Sequence, residues 1–171
     1  MLISDETSSA LDELTGAFFD LNRTTDRMIS IMQNTWCMPQ AVSIIHPNIA
    51  HLYPLLADKV TEIKDRYNLT SVYPETHRDS RVYENLKEMF RTLLKENEEV
   101  YQMIKMVDDS AHKNGDFMVH ADLVDLMQKF SILFGQIVTL RDKADQLVDK
   151  YDEFDRHISS WGIDGLELGD D

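Results

Sequence analysis

The chain has 171 residues, with 17 Lys and Arg against 31 Asp and Glu, and a formal net charge of −14. This length fits one domain with a sizeable core, and a hydrophobic content of 43% excludes a disordered chain. A single cysteine excludes an internal disulfide and a multi-cysteine zinc site. The acidic balance argues against a nucleic-acid partner, because phosphate contacts need clustered Lys and Arg. Since no uninterrupted run of about 18 apolar residues and no apolar leader is present, we expect no membrane partner and a cytoplasmic location.

Four long segments carry apolar residues at three- and four-residue steps, the spacing of α-helices with one buried face. They predict helices over residues 8–37, 42–68, 80–112 and 116–158, within one bundle domain of residues 1–161 followed by a short acidic tail over residues 162–171. Six Gly and four Pro supply too few turns for a many-stranded β protein, so the predicted fold class is all-α. The predicted core stripes are Leu11, Leu14, Phe18, Leu21, Thr25, Met28, Ile29, Met32 and Trp36; Ile49, Leu52, Leu56, Val60, Ile63 and Tyr67; Val82, Tyr83, Leu86, Phe90, Leu93, Leu94, Tyr101 and Ile104; and Val119, Leu123, Leu126, Phe130, Leu133, Ile137, Leu140 and Ala144.

The connections predict the topology. Asn114-Gly115 supplies a left-handed cap and Asp116 an N-cap, which makes helices three and four an antiparallel hairpin. The eleven residues 69–79 lack a helical period and reach roughly 36–40 Å when extended, against about 33 Å for a helix of 22 residues. A link of this length can cross the whole bundle, so that helices two and three run parallel. This is the connectivity of a ferritin-like four-helix bundle with a long crossover between helices 2 and 3.

Two prolines lie near the start of predicted helix two. Pro47 fits its first turn, where the missing amide costs little, whereas Pro54 lies inside and is expected to bend the helix.

Several short motifs resemble the Dps miniferritin family. Trp36 ends the first helix, and His46 opens a second helix in which Asp65-Arg66 follows at the family's spacing of nineteen residues. The resemblance spans roughly residues 10–147 and continues through Tyr73-Pro74, Asn85-Leu86-Lys87-Glu88-Met89, Gly115-Asp116 and Ala121-Asp122-Leu123-Val124. It places the apolar stripe of helix two at the family's core positions, and a shift of one residue would put Lys59 or Lys64 into the core. The resemblance implies an iron-binding protein that assembles as a homo-oligomer, between a dimer and a dodecameric cage.

The family's iron-oxidising site lies between two subunits, with a His from one first helix and a His, two Asp and a Glu from the other second helix. Carried over by position, these five ligands become Thr35, His46, Ala50, Thr61 and Asp65. His46 and Asp65 are therefore the implied metal ligands. Because iron sites need several oxygen or nitrogen ligands, the remaining set predicts weak or degenerate ferroxidase activity, and whether the protein is an enzyme stays open.

A displaced set of ligands is the alternative on helix two. His51, Asp58, Glu62 and Asp65 follow seven-, four- and three-residue steps and share one helix face, away from the apolar stripe. This face is either a solvated surface of an acidic protein or a patch that binds cations together with a neighbouring subunit.

A ferritin centre inside one bundle requires inward-facing Glu residues and two Glu-x-x-His pairs. The chain contains no Glu-x-x-His, and the predicted core stripes carry no Glu, Asp or His. Two functions therefore stay open: iron binding and sequestration by a Dps-like protein with a weak or degenerate ferroxidase site, or a structural or interaction module of the ferritin fold without metal chemistry.

Overall fold

The computed structural model describes residues 2–166, in which helices and turns form the regular structure and no strand occurs. The last part of the predicted acidic tail, residues 167–171, lies outside the described residues. Four long helical arms form the bundle, and the second arm consists of two helices joined by a π-turn. The elements are α1 (Asp5–Asn34), α2 (Pro39–Ile45), the π-turn (His46–Ala50), α3 (Leu52–Arg66), α4 (Leu86–Lys113), α5 (Phe117–Leu147), α6 (Tyr151–His157) and a 3₁₀ turn (Ile158–Ser160).

The topology is that of the predicted ferritin-like bundle. Helix α1 packs chiefly on α3, α4 packs chiefly on α5, and α1 also packs on α4. Residues 67–85 form the crossover, which follows α1 from its start to its far end: the Val72 amide donates to Asp12, and Arg27 donates to the carbonyl of Arg81. The crossover therefore returns the chain to the end of the bundle where α3 begins, and α3 and α4 run parallel. Its length exceeds the predicted eleven residues because α4 begins at Leu86 rather than at residue 80.

The core stripes of three predicted helices are buried as expected, except that Trp36 is only half-buried. In the third stripe the prediction for Val82 was wrong. Val82 is 81% exposed, because it lies in the crossover before α4 and not on a helix. Lys64 is the second surprise, since its side chain is buried although it was expected outside the core. Its Nζ donates to Asp12 Oδ1 at 2.8 Å, and this ion pair is what permits burial of the charge.

The second arm starts at Pro39, earlier than predicted, and its prolines act differently from the expectation. Pro47 lies inside the π-turn, where the His51 amide donates to the His46 carbonyl five residues back. Pro54 lies in the first turn of α3 and has no amide to donate to the carbonyl of Ala50. Asn22 of α1 donates to that carbonyl instead, at 3.0 Å, so a side chain from the neighbouring helix replaces the missing bond.

The hairpin between α4 and α5 has the predicted turn but a different cap. Gly115 adopts a positive φ of 75°, as a left-handed helix cap requires. Asp116 holds the N-cap position of α5 without a capping hydrogen bond from its side chain. Its carboxylate accepts instead from the hydroxyls of Thr7, at 2.6 Å, and Ser4, at 3.0 Å, and so ties the hairpin to the start of α1.

The predicted fourth helix ends eleven residues early. Helix α5 stops at Leu147 because Val148 takes a positive φ of 55°, and the chain then turns into α6. Within the described residues α5 is also the one helix whose length and mean hydropathy would suffice to cross a membrane. Its inward stripe packs in the bundle, whereas only 33% of its apolar window is buried.

Candidate metal-ligand sites

The π-turn brings together two of the five side chains that the sequence singled out as metal ligands. The rings of His46 and His51 lie edge to face with 4.3 Å between their centroids, and both residues are exposed. In a regular α-helix, residues five apart would point about 140° away from each other. The wider π-turn closes this angle, and such turns occur frequently at functional sites.

The three acidic candidates lie apart from this pair. Asp58, Glu62 and Asp65 are exposed on α3, and the helical rise separates His46 from Asp65 by about 28 Å. His51 and Asp58 are about 10 Å apart by the same measure. The five predicted ligands therefore do not surround one ion within a single chain; they form a histidine pair at one end of the arm and an acidic row toward the other.

Glu62, one of the three acidic candidates, lies close to cationic side chains. Glu62 lies beside a small pocket of about 40 Å³ between α3 and α5, and its carboxylate pairs with Lys59 at 3.5 Å. Arg66 pairs with Asp122 at 2.7 Å at the same pocket, and the hydrogen bond to that carboxylate raises the pKa of Arg66. The pocket therefore holds paired charges of both signs.

At the three positions where the resemblance implies that metal ligands have been lost, the residues present are poor metal ligands. Thr35 ends α1 and is exposed, and the Thr61 hydroxyl donates to the backbone carbonyl of Asp58 at 2.9 Å. Ala50 is completely buried against the core. Only His46 and Asp65 keep ligand-type side chains at these five positions, as the sequence indicated.

The interior of the bundle carries a neutral polar contact. The Tyr53 hydroxyl on α3 donates to Asn97 Oδ1 on α4 at 2.8 Å, and Asn97 Nδ2 donates to the Leu93 carbonyl at 2.7 Å. Thr25 of α1 is a further hydrogen-bond neighbour of Tyr53. All three side chains are fully buried, and burial raises the pKa of Tyr53, so the phenol stays neutral.

These residues do not fit a dinuclear iron centre. Such a centre needs several inward-pointing carboxylates and histidines from facing helices. Among the described residues the buried ionic side chains are Asp12, Lys64, Asp116 and Asp155, and the partners of these groups are found within the protein. Among the described residues, therefore, no group of inward-pointing carboxylates and histidines from facing helices meets inside the bundle.

A third group of ligand-type residues was missed by the sequence reasoning, which treated its histidines as isolated. Asp108, His112 and His120 meet where α4 turns into α5, and one ligand atom of each lies within 4.8 Å of the others. The signal was present in the sequence: Asp108 and His112 are four residues apart on one helix face, and His112 and His120 each lie four residues from Asp116, the midpoint of the predicted hairpin.

A groove with a volume of about 460 Å³ lies between α1, the crossover and α4. Among its charged groups, Arg81 pairs with Asp79 at 2.7 Å and with Glu96, and these hydrogen bonds raise the pKa of Arg81. Asp20 accepts from the amide of His77 at 3.0 Å. The groove is lined by these structural contacts of the crossover.

Comparison with known proteins identifies the fold. No protein-family model and no curated protein matches the sequence. Among solved structures, a humanized archaeal ferritin superposes with a TM-score of 0.84 at 11% identity, covering 93% of this chain and 96% of the ferritin. An open-pore ferritin from the archaeon Archaeoglobus fulgidus gives 0.83 at 12% identity, covering 92% of this chain and 97% of that one. Over nearly its whole length, therefore, the chain has the ferritin fold.

Proposed function

We propose that this protein binds and sequesters iron as a ferritin-fold homo-oligomer, at surface ligands and without an oxidation centre inside the bundle. The observation that carries the proposal is the distribution of ligands: the π-turn presents two imidazoles side by side, while the interior holds the neutral Tyr53–Asn97 contact. Imidazole is a suitable ligand for iron, and two rings per chain leave coordination positions for the acids of a second copy. The net charge of −14 favours cations around the molecule.

The Dps-like subtype belongs to the same proposal. In that reading His46 and Asp65 contact iron across a subunit interface, His51 reinforces His46 at the π-turn, and Asp58 and Glu62 extend the acidic row. Because about 28 Å separates His46 from Asp65 along one arm, they cannot bind one ion from the same second helix, as the resemblance implied, and each ion must take them from two different copies. Oxidation is expected to be slow, since the hydroxyl of Thr61 is already bonded to the backbone and Ala50 is buried.

A structural or interaction module without metal chemistry is the second candidate. The filled interior supports it, as do the lost ligands at Thr35, Ala50 and Thr61. Both candidates assemble through copies of the same chain, and neither predicts binding to nucleic acid or membranes.

Fe(II) binding and oxidation by the purified full chain test the proposal. We expect the wild type to bind iron and to oxidise it at close to the rate of buffer alone. His46→Gln combined with His51→Gln should weaken iron binding at least tenfold, whereas His157→Gln, a change at an exposed histidine far along the chain, should leave it unchanged.

The outcomes separate the two candidates. No iron binding by the wild type would favour the module without metal chemistry, whereas equal iron binding by the wild type and the double variant would show that iron is not held at the π-turn histidines and would contradict the proposal. Fast oxidation by the wild type would contradict both, because no oxidation centre was found in the described part of the bundle.

A further inference from the structure

The hairpin between α4 and α5 presents three metal-ligand atoms toward one point. His120 Nδ1 lies 3.1 Å from His112 Nε2 and 2.6 Å from Asp108 Oδ1. His112 is exposed, whereas Asp108 and His120 are half-buried, so an ion from solvent can reach all three groups. These residues are separate from the π-turn histidines and from the acidic row of α3.

The backbone around the group holds it in place. Asp108 and His112 occupy successive turns near the end of α4, and His120 lies in the first turn of α5. The Asp116 amide donates to the Ala111 carbonyl at 2.8 Å and closes the turn between the two helices. The ring of Phe117 meets that of His112 edge to face, with 6.1 Å between centroids, and restricts its orientation.

One imidazole proton is all that hydrogen bonding can place between the three converging atoms when His120 donates. A neutral imidazole carries one N–H, so His120 Nδ1 either donates or accepts from His112. If it donates, Asp108 Oδ1 and His112 Nε2 compete for the same N–H, because each offers it a lone pair. If it accepts, two acceptor atoms face each other at 2.6 Å. A cation between the three atoms would use all their lone pairs at once.

The spacing also suits a metal ion. At a metal–ligand distance of about 2.1 Å, two ligand atoms are about 3.0 Å apart in octahedral geometry and about 3.4 Å apart in tetrahedral geometry. The two imidazole nitrogens, at 3.1 Å, already fall in this range. The carboxylate oxygen must move outward by about 0.5 Å, which a rotation of the Asp108 side chain provides.

We propose that Asp108, His112 and His120 bind one divalent transition-metal ion, with zinc, cobalt(II) and iron(II) as the class that suits two imidazoles and one carboxylate. Magnesium and calcium, which take oxygen ligands, are not expected to bind there. The ion joins the end of α4 to the start of α5, and its open positions are left to water. This site lies within one chain and is independent of the proposed iron site at the π-turn.

Titration of the metal-free full chain with cobalt(II) tests the site, because cobalt bound to imidazole and carboxylate gives a visible absorption band. We expect about one equivalent of cobalt per chain at this site, displaced by zinc and not by magnesium. His112→Gln combined with His120→Gln should weaken binding at least tenfold, and Asp108→Asn should weaken it as well. The control, His157→Gln at an exposed histidine of α6, should leave this band and its affinity unchanged.

Unchanged cobalt binding in the His112/His120 variant would overturn the proposal. So would loss of the band in the His46/His51 variant alone, which would move the ion to the π-turn and support the proposed function instead. Absence of any cobalt binding by the wild type would also overturn it. Far-ultraviolet circular dichroism of each metal-free variant checks folding, and Asp108→Asn, which keeps the side-chain shape, decides the question if the double histidine variant does not fold.

Discussion

Tyr53 lies in an environment very different from that of an exposed tyrosine. Its ring is fully buried and its hydroxyl contacts Asn97, so ionisation would place an unsolvated charge in the core. Burial raises the pKa of Tyr53 above its ordinary value of 10, and the pKa of the partly buried Tyr83 rises to about 12 for the same principal reason. The folded protein therefore keeps phenolic protons that the unfolded chain releases above pH 10.

The sign of the resulting pH dependence follows directly. Because the pKa values of these two groups are raised by folding, their contribution to stability is complete below pH 10 and is lost as the pH rises further. We expect the free energy of unfolding to fall above pH 10, with a slope of at most about 1.4 kcal/mol per pH unit from Tyr53. Tyr53→Phe should flatten the curve between pH 10 and 12, whereas Tyr73→Phe, at an exposed position, should not. Urea unfolding at several pH values measures this; parallel curves for wild type and Tyr53→Phe would contradict it.

The buried ion pair of Asp12 and Lys64 gives a second prediction at this scale. Asp12 Oδ1 accepts from Lys64 Nζ at 2.8 Å and from the Val72 amide at 3.1 Å, so it joins α1, α3 and the crossover. Asp12→Ala should reduce the free energy of unfolding by about 3–5 kcal/mol, because it leaves a buried ammonium group without its partner. The double change Asp12→Leu and Lys64→Met should cost clearly less, since no buried charge remains. Equal losses in urea denaturation of the two variants would show that packing, not charge, sets the cost.

At the scale of elements, the crossover depends on close contact with α1. A Cβ atom added to Gly16 would lie 2.9 Å from Pro74 Cγ and 3.0 Å from Pro74 Cβ, distances at which the rigid proline ring must move away. Gly16 is thus required for packing and not for an unusual backbone angle. The contact lies midway between the hydrogen bonds that Asp12 and Asp20 make to the crossover.

Two glycine substitutions separate this packing from helix propensity. Gly135 lies in α5, where an added Cβ meets nothing within 4 Å. Gly135→Ala should therefore stabilise the protein by about 0.5–1 kcal/mol through helix propensity alone. Gly16→Ala gains the same helix propensity but displaces the crossover. We therefore expect the free energy of unfolding of Gly16→Ala to be about 1–3 kcal/mol lower than that of Gly135→Ala. Equal stabilisation of both variants would mean that the crossover can move away from α1 with no loss in the free energy of unfolding.

At the scale of the whole molecule, charge limits how copies can meet. Two chains of charge −14 repel each other, so an interface needs a surface with few acidic groups. The outer side of α5 offers one: Ala121, Val124, Gln128, Ile132 and Gly135 are exposed and uncharged. If copies of this chain associate as proposed, we expect them to meet on that face.

The oligomeric state tests this placement. Val124→Asp combined with Ile132→Asp adds charge to the face without touching the core, since both side chains are exposed. We expect a lower native mass than that of the wild type, whereas Val82→Asp, on the crossover, should leave the mass unchanged. Native mass spectrometry or light scattering at equal concentration measures it. A wild-type monomer, or an assembly unaffected by the two changes, would remove this face from the interface.

Local information in the sequence determined the helices and most of the core. Helical periodicity depends on residues three and four positions apart, so the stripes through Leu14, Leu56 and Leu126 could be recognised without knowledge of their partners. Chain length between segments permitted the crossover without requiring it, because a link of that reach allows two helices to run parallel.

The tertiary structure alone decided what depends on a second segment. Lys64 is buried because α1 supplies Asp12, and the second arm continues past Pro54 because Asn22 caps the free carbonyl of Ala50. The π-turn changed the face on which His51 lies, since one wider turn rotates every later side chain relative to His46. His112 and His120 became neighbours through the hairpin, a contact that no periodicity within either helix encodes. The sequence therefore predicted only part of each candidate site. It shows which residues could act as ligands, but whether their side chains lie close together depends on contacts between helices.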